Sequence, residues 1–259
     1  MNGRYCVVIP AFNAAGTIGQ LVKRVMLQGF DVIVVDDGSK DATASVASAQ
    51  GALVISHVRN KGKGRALRTA FEYVLRSRYD GVITMDGDGQ HDPAEIPRLV
   101  REGELQHAGI VTGNRLANPA VSDEAIGASA GGSRRPAALA AKGGIAPAGL
   151  HGVTMPLARR WTNRLMSAIV SAVAHQPIPD TQCGFRFIRR EVLADISLRA
   201  RRFEIETELL FNAASRRWKI ISVPVQSIYQ DERSHIRPLR DGIRFVRMVL
   251  NHIRRGTWT

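Results

Sequence analysis

Runs of apolar, largely β-branched residues alternate with helical patterns through the first half of the chain. This alternation restricts the fold more than any other feature. Strands are predicted at Tyr5–Ile9, Val32–Val35, Leu53–Ser56, Gly81–Met85 and Ile110–Thr112. Helices are predicted between them at Ala15–Gln28, about Asp41–Ala49, Lys63–Arg76 and Pro93–Gln106. Strands that are apolar throughout are covered on both faces, and intervening helices impose parallel crossovers. The expectation is an α/β protein with a mostly parallel sheet flanked by helices. Such sheets bind ligands beyond the carboxyl ends of their strands, so polar chemistry should follow each strand.

It does. The first strand leads into Pro10, Ala11, Phe12 and Asn13, and the second into Asp36, Asp37, Gly38 and Ser39. The third leads into Asn60-Lys61-Gly62-Lys63-Gly64, the fourth into Asp86-Gly87-Asp88-Gly89-Gln90-His91, and the fifth into Asn114 and Arg115. Agreement among five strand ends weighs more than any one motif.

The second half is less regular. Residues 116–152 are rich in Ala, Gly, Ser and Pro, and they read either as a mobile basic flap or as an inert insertion. Helical periodicity returns at Leu157–Ala174, with Arg159, Arg160 and Arg164 near its start. The stretch Asp180 to Phe187 follows, then a helix at Glu204–Arg216 and a strand at Ile220–Val225. An amphipathic, arginine-rich helix is expected at 240–255. At 259 residues the chain is read as one domain over 1–230, with 116–152 as an insertion, and a basic C-terminal helix in 231–259.

Composition narrows the partners. Lys and Arg total 36 against 23 Asp and Glu, and the net charge of +13 favours anionic partners. No apolar run is long enough to span a bilayer, and the N-terminus lacks the pattern of a signal peptide. Two cysteines give no disulfide framework, and a reducing compartment fits. A cytoplasmic protein is expected, either free or peripheral on the cytoplasmic face of the membrane.

The acidic turn carries the sharpest chemistry. Two carboxylates one residue apart repel each other unless a cation joins them, and Gln90 adds a neutral oxygen. An all-oxygen set suits Mg²⁺ or Mn²⁺, with Asp86, Asp88 and Gln90 as ligands. The competing reading is a polar turn that only reverses the chain. Asp36 and Asp37 either accept hydrogen bonds from a nucleoside or make a turn before a helix capped by Asp41. The Asn60–Gly64 stretch either approaches a phosphate through Lys63 or is a glycine-rich helix entry. His91 reads as structural.

Together these stretches resemble family 2 glycosyltransferases with the GT-A (Rossmann-like) fold, nearest the dolichyl-phosphate mannosyltransferase-like and polyprenyl-phosphate glycosyltransferase-like enzymes. The resemblance rests on Val8–Asn13, Val34–Ser39, Asn60–Gly64, Asp86–His91 and Thr181–Arg186. It implies that Pro10, Asn13, Asp36 and Asp37 hold the nucleoside, and that Lys63 and Arg160 belong to the donor site. It implies Mg²⁺ or Mn²⁺ on Asp86, Asp88 and Gln90, and phosphates of donor or acceptor facing Arg115, Arg160 and Arg186. Asp88, Arg115 and Arg186 would be catalytic. The implied reaction is inverting transfer of a hexosyl group from GDP-mannose or a UDP-sugar to a polyprenyl or dolichyl phosphate. Departures fall on the acceptor side: the long insertion, the lack of C-terminal membrane helices, and Ser234-His235 where a Ser-Lys pair is frequent.

Two alternatives remain open. A transferase acting on a sugar or protein hydroxyl needs a general base, for which Glu204, Glu206 and Glu208 are candidates. A basic nucleotide- or nucleic-acid-binding protein is permitted by the charge, but the cations are dispersed and no binding motif appears. Nucleic acid is therefore not an expected partner, whereas peripheral membrane contact through the 157–174 and 240–255 helices is.

Overall fold

The computed structural model describes residues 3–117 and 157–226. Most of the expected insertion and all of the 231–259 helix lie outside the described residues. Within them the elements run β1 (Tyr5–Ala11), α1 (Ala15–Met26), β2 (Asp31–Asp36), α2 (Thr43–Ala49), β3 (Leu53–Ser56), α3 (Lys63–Arg76) and β4 (Gly81–Thr84). A 3-10 turn (Pro93–Glu95) leads into α4 (Ile96–Leu105), then β5 (Ile110–Asn114) and α5 (Leu157–Ala174). The remaining elements are β6 (Arg186–Arg189), α6 (Arg190–Asp195), α7 (Ile205–Ser215) and β7 (Ile220–Pro224).

The seven strands form one sheet in the order β3-β2-β1-β4-β6-β5-β7. All neighbours are parallel except β6, which runs antiparallel to both β4 and β5. This is the expected α/β, GT-A-like sheet. The sequence reading did not recognise β6, which is short and carries an arginine at each end.

Burial explains the apolar strands. Val7, Ile9, Val32 and Val34 face a cluster with α1 and α4, while Cys6, Val8, Ile33 and Val35 face one with α3, α5 and α7. Successive residues point to opposite faces, so a strand covered twice needs an apolar residue at every position. At the carboxyl edge the sheet stops being apolar, and there the polar loops converge. Because β6 runs the other way, its N-terminal end reaches the same edge: Thr84 stands opposite Arg186, and Thr84 Oγ1 donates to Gly184 O at 2.8 Å.

Candidate active site

The acidic turn is built on β4. Met85 continues the strand through its amide, which donates to Val8 O, and Asp86 begins the turn. Thr17 Oγ1 donates to Gly87 O at 2.7 Å, fixing the turn to α1. Gly89 has φ of 74°, which lets the chain reverse so that Gln90 N donates to Asp88 Oδ1 at 3.0 Å. A Cβ on Gly184 would stand 2.6 Å from Asp86 Oδ2, so only glycine lets the β6 approach lie this close.

Asp86 has a resident counter-ion. Lys63 Nζ lies 2.5 Å from Asp86 Oδ1 and also pairs with Glu206. Burial alone would raise the Asp86 pKa, but the Lys63 ammonium overrides it and holds the carboxyl below its ordinary value. Burial likewise lowers the Lys63 pKa, and Asp86 and Glu206 together reverse that effect and raise it. Glu206 is held from behind by Arg186, 3.7 Å away. His91 lies beneath the turn, stacked on Phe185 at 5.2 Å, and burial lowers its pKa to about 4. It is a neutral packing residue at pH 7, in line with the structural reading.

The residues expected to hold a nucleoside cluster at the same edge. Asn13, in a left-handed conformation (φ 51°), accepts from Lys40 N, and its own amide donates to Ser39 Oγ. Asp36 accepts from Ser39 N. Asp37 is 3% exposed and accepts from His57 Nδ1 (2.7 Å), Lys61 N (2.9 Å) and Gly62 N (2.7 Å). Asp37 therefore shapes the entry to α3, a role distinct from both the nucleoside contact and the turn before α2 that the sequence offered. His57, which also lies 3.0 Å from Thr69 Oγ1, ties that arrangement to α3. Gly38 (φ 74°) is packed so closely on Arg59 that a Cβ would meet its carbonyl carbon at 2.5 Å.

The arginines differ from expectation. Arg186, expected to face a phosphate, is 1% exposed and donates to Glu206 O (2.8 Å) and Thr181 O (2.7 Å). It stands where β6 leaves the sheet edge, so its length is taken up bridging that strand to α7 beneath the cleft. Arg115, also expected at a phosphate, makes a two-pronged pair with buried Asp180 at 2.8 and 3.0 Å. Arg68 donates to Leu198 O. The Arg160 side chain lies outside the described residues. Pro10 borders the cleft together with Lys63, Asp86, Gly184 and Glu206.

Glu206 and Asp180 were under-read. Helical spacing offered a signal for the first. In α7, Glu206 is about 200° round the helix from Glu204 and Glu208, given ~3.6 residues per turn, so it faces inward while Glu208 accepts from Arg199 N and Ala200 N. No spacing could pair Asp180 with Arg115, because the contact is tertiary.

Among the described residues no group of three or more His, Cys, Asp and Glu side chains forms a ready cation cage. Asp86, Asp88 and Gln90 still fit Mg²⁺ or Mn²⁺. These ions take hard oxygen ligands, and Mg²⁺ is commonly held by one or two carboxylates completed by substrate phosphates. Such a site suits an ion that arrives with a nucleotide.

An α/β sheet with this strand order, an acidic turn at the tip of β4 and a lysine-bearing loop beside it defines a glycosyltransferase of GT-A architecture. More particularly, the chain belongs to glycosyl transferase family 2, whose model matches residues 6–197. A UDP-N-acetylglucosamine–dolichyl-phosphate N-acetylglucosaminyltransferase of Methanococcus voltae is 26% identical, over 87% of this chain and 86% of that one. Glycosyltransferase AglJ of Haloferax volcanii is 28% identical over 92% and 68%. An undecaprenyl-phosphate 4-deoxy-4-formamido-L-arabinose transferase of Pseudomonas fluorescens is 35% identical over 42% and 35%. The chain is thus similar to polyprenyl-phosphate glycosyltransferases. Among solved structures, glucosyl-3-phosphoglycerate synthase of Mycobacterium tuberculosis with Mn²⁺, UDP and phosphoglyceric acid shares the fold. It has a TM-score of 0.62 and 19% identity, and the match covers 99% of this chain and 79% of that one.

Proposed function

We propose that this protein moves a hexosyl group, with inversion, from a nucleotide-diphosphate sugar to a polyprenyl phosphate. The observation that carries the reading is the set of oxygen donors at the tip of β4 beside the Lys63 ammonium. An acceptor phosphate oxygen attacks the anomeric carbon, the new C–O bond forms, and the nucleoside diphosphate leaves with the electron pair of the broken bond. Asp86, Asp88 and Gln90 would hold Mg²⁺ or Mn²⁺, which when bound draws charge off a departing diphosphate. Lys63 supplies a further positive charge on that side. Asn13, Asp36 and Pro10 border the nucleoside side, with Asp37 keeping the α3 entry in shape.

Glu206 points to the class of acceptor. A hydroxyl acceptor needs a base to take its proton, and Glu206 is the buried carboxylate of this cleft. Its two carboxylate oxygens are already engaged, one by Lys63 and the other by Arg186, so they are held by internal cations and not offered to an acceptor hydroxyl. A phosphate acceptor is already anionic at pH 7 and needs none. The polyprenyl-phosphate relatives support the same choice.

Peripheral membrane contact is part of the proposal. No described helix is long and apolar enough to cross a membrane. On α5, however, Trp161 (71% exposed), Leu165 (64%) and Ile169 (36%) form an outward apolar stripe at helical spacing. Such a stripe beside exposed Arg164 suits the headgroup region of an anionic, cytoplasm-facing leaflet.

The test is a transfer assay with Mn²⁺ over GDP- and UDP-sugars, supplying undecaprenyl phosphate, dolichyl phosphate or soluble sugars as acceptor. Transfer to lipid phosphate is expected, and Asp88→Ala should abolish it. Full activity of Asp88→Ala, or transfer to soluble hydroxyls alone, would overturn the reading.

A further inference from the structure

Asp86 has two claims on its carboxylate. It is the first oxygen donor of the acidic turn, and it is also the ion-pair partner of Lys63 at 2.5 Å. Lys63 simultaneously pairs with Glu206, and Arg186 lies 3.7 Å from Glu206. Two cations thus meet two carboxylates, and the cluster is electrically balanced. The side chains of Lys63 and Glu206 are only 16% and 8% exposed, so water screens the cluster weakly.

A divalent ion that takes Asp86 Oδ1 as a ligand must replace the ammonium there. Added alone, it would leave the cluster with an excess of two positive charges. A nucleoside diphosphate added alone would bring its negative charge against Asp86 and Asp88. Together the two restore a near balance, and the diphosphate offers the displaced ammonium a new partner. The structure leaves the ammonium able to move. Its backbone is fixed at the start of α3, where a Cβ on Gly64 would meet Ala200 O at 2.7 Å. Its four-carbon stem is flexible, and the Phe203 ring 5.7 Å from Nζ gives the cation another favourable surface.

We propose that Lys63 is an internal counter-ion which metal must displace from Asp86, and that its passage to the donor's diphosphate makes metal and nucleotide bind cooperatively. Lys63 is then a residue that couples the two ligands as well as a contact to one. This rests on the donor-site reading above.

The experiment titrates Mn²⁺ by electron paramagnetic resonance into the full chain, without nucleotide and with UDP or GDP, correcting for the complex formed in solution. In the unaltered protein, nucleotide should tighten Mn²⁺ binding by about fivefold or more, within the usual range of coupling between sites. Lys63→Gln should bind Mn²⁺ more tightly without nucleotide and show a smaller enhancement with it. Glu206→Gln, which leaves Asp86 as the ammonium's remaining carboxylate, should bind Mn²⁺ more weakly alone and show a larger enhancement. An equal enhancement factor in all three proteins would overturn the relay, even if the affinities shift, because a fixed charge acts alike with and without nucleotide. If circular dichroism shows that Lys63→Gln is unfolded, the enhancement in Glu206→Gln decides. A wild-type protein that fails to bind Mn²⁺ even with nucleotide present overturns the donor-site reading and the relay together.

Discussion

Gly184 shows how little room the acidic turn leaves. Its added Cβ would stand 2.6 Å from one Asp86 carboxylate oxygen and 2.8 Å from the other. The obstacle is the end of a side chain, so Gly184→Ala should fold while pushing Asp86 aside. A displacement on the order of 1 Å at a catalytic group costs about a hundredfold. We expect kcat/KM to fall roughly 10- to 100-fold with a melting temperature close to wild type, measured by transfer assay and calorimetry. Asp180 makes a different prediction. It is fully buried and its pKa lies below the ordinary value; burial works to raise it, and the Arg115 hydrogen bonds and charge prevail. Asp180→Asn leaves a buried guanidinium without that carboxylate and should cost roughly 3–5 kcal/mol at pH 7. The unfolded chain takes up the Asp180 proton first as pH falls. The pair's contribution is therefore complete above the ordinary carboxylate pKa and is lost as pH drops through the lowered native value. Urea titrations at pH 7 and in acid should show the two proteins converging. Neither residue's role was legible beforehand: Gly184 was only part of a motif, and Asp180 acquires its partner from 65 residues away.

The antiparallel strand β6 decides how the second half of the chain joins the first. It stands between β4 and β5 and delivers Gly184 and Arg186 to the edge where the parallel strands end. Phe187 anchors it, fully buried, edge-on to Tyr5 at 5.2 Å and packed on Gly103. Phe187→Ala should cost about 3–5 kcal/mol, read as a lower urea midpoint, and activity should fall with it as the cleft floor loosens. The sequence reading missed this element because two apolar residues between arginines give too short a run. Helix α5 carries the opposite expectation. Replacing Trp161 and Leu165 by Ser should leave stability within about 0.5 kcal/mol, as exposed positions usually do. Co-sedimentation with anionic vesicles should fall several-fold. Unchanged vesicle binding would remove α5 from the membrane contact.

Across the molecule, two apolar clusters sandwich one sheet, and every polar loop of interest leaves the same edge. A ligand bound there stabilises the fold by mass action. Mn²⁺ with a matching nucleotide at about 100 times its Kd should add about 2.7 kcal/mol, a rise of roughly 5–10 °C in melting temperature. Either ligand alone should give much less, and chelation should remove both the shift and turnover. Sequence determined the sheet class and the one edge at which the polar loops gather, the Asp86–Gln90 turn among them. These are local properties: periodicity sets which residues are buried, and strand direction sets which ends meet. Tertiary structure alone decided that Lys63 neutralises Asp86, that Arg115 and Arg186 are committed to internal partners, and that Glu206 rather than Glu204 or Glu208 faces the cleft. A charged side chain's partner depends on which distant segment arrives beside it in a region of low dielectric, and no local pattern encodes that arrival.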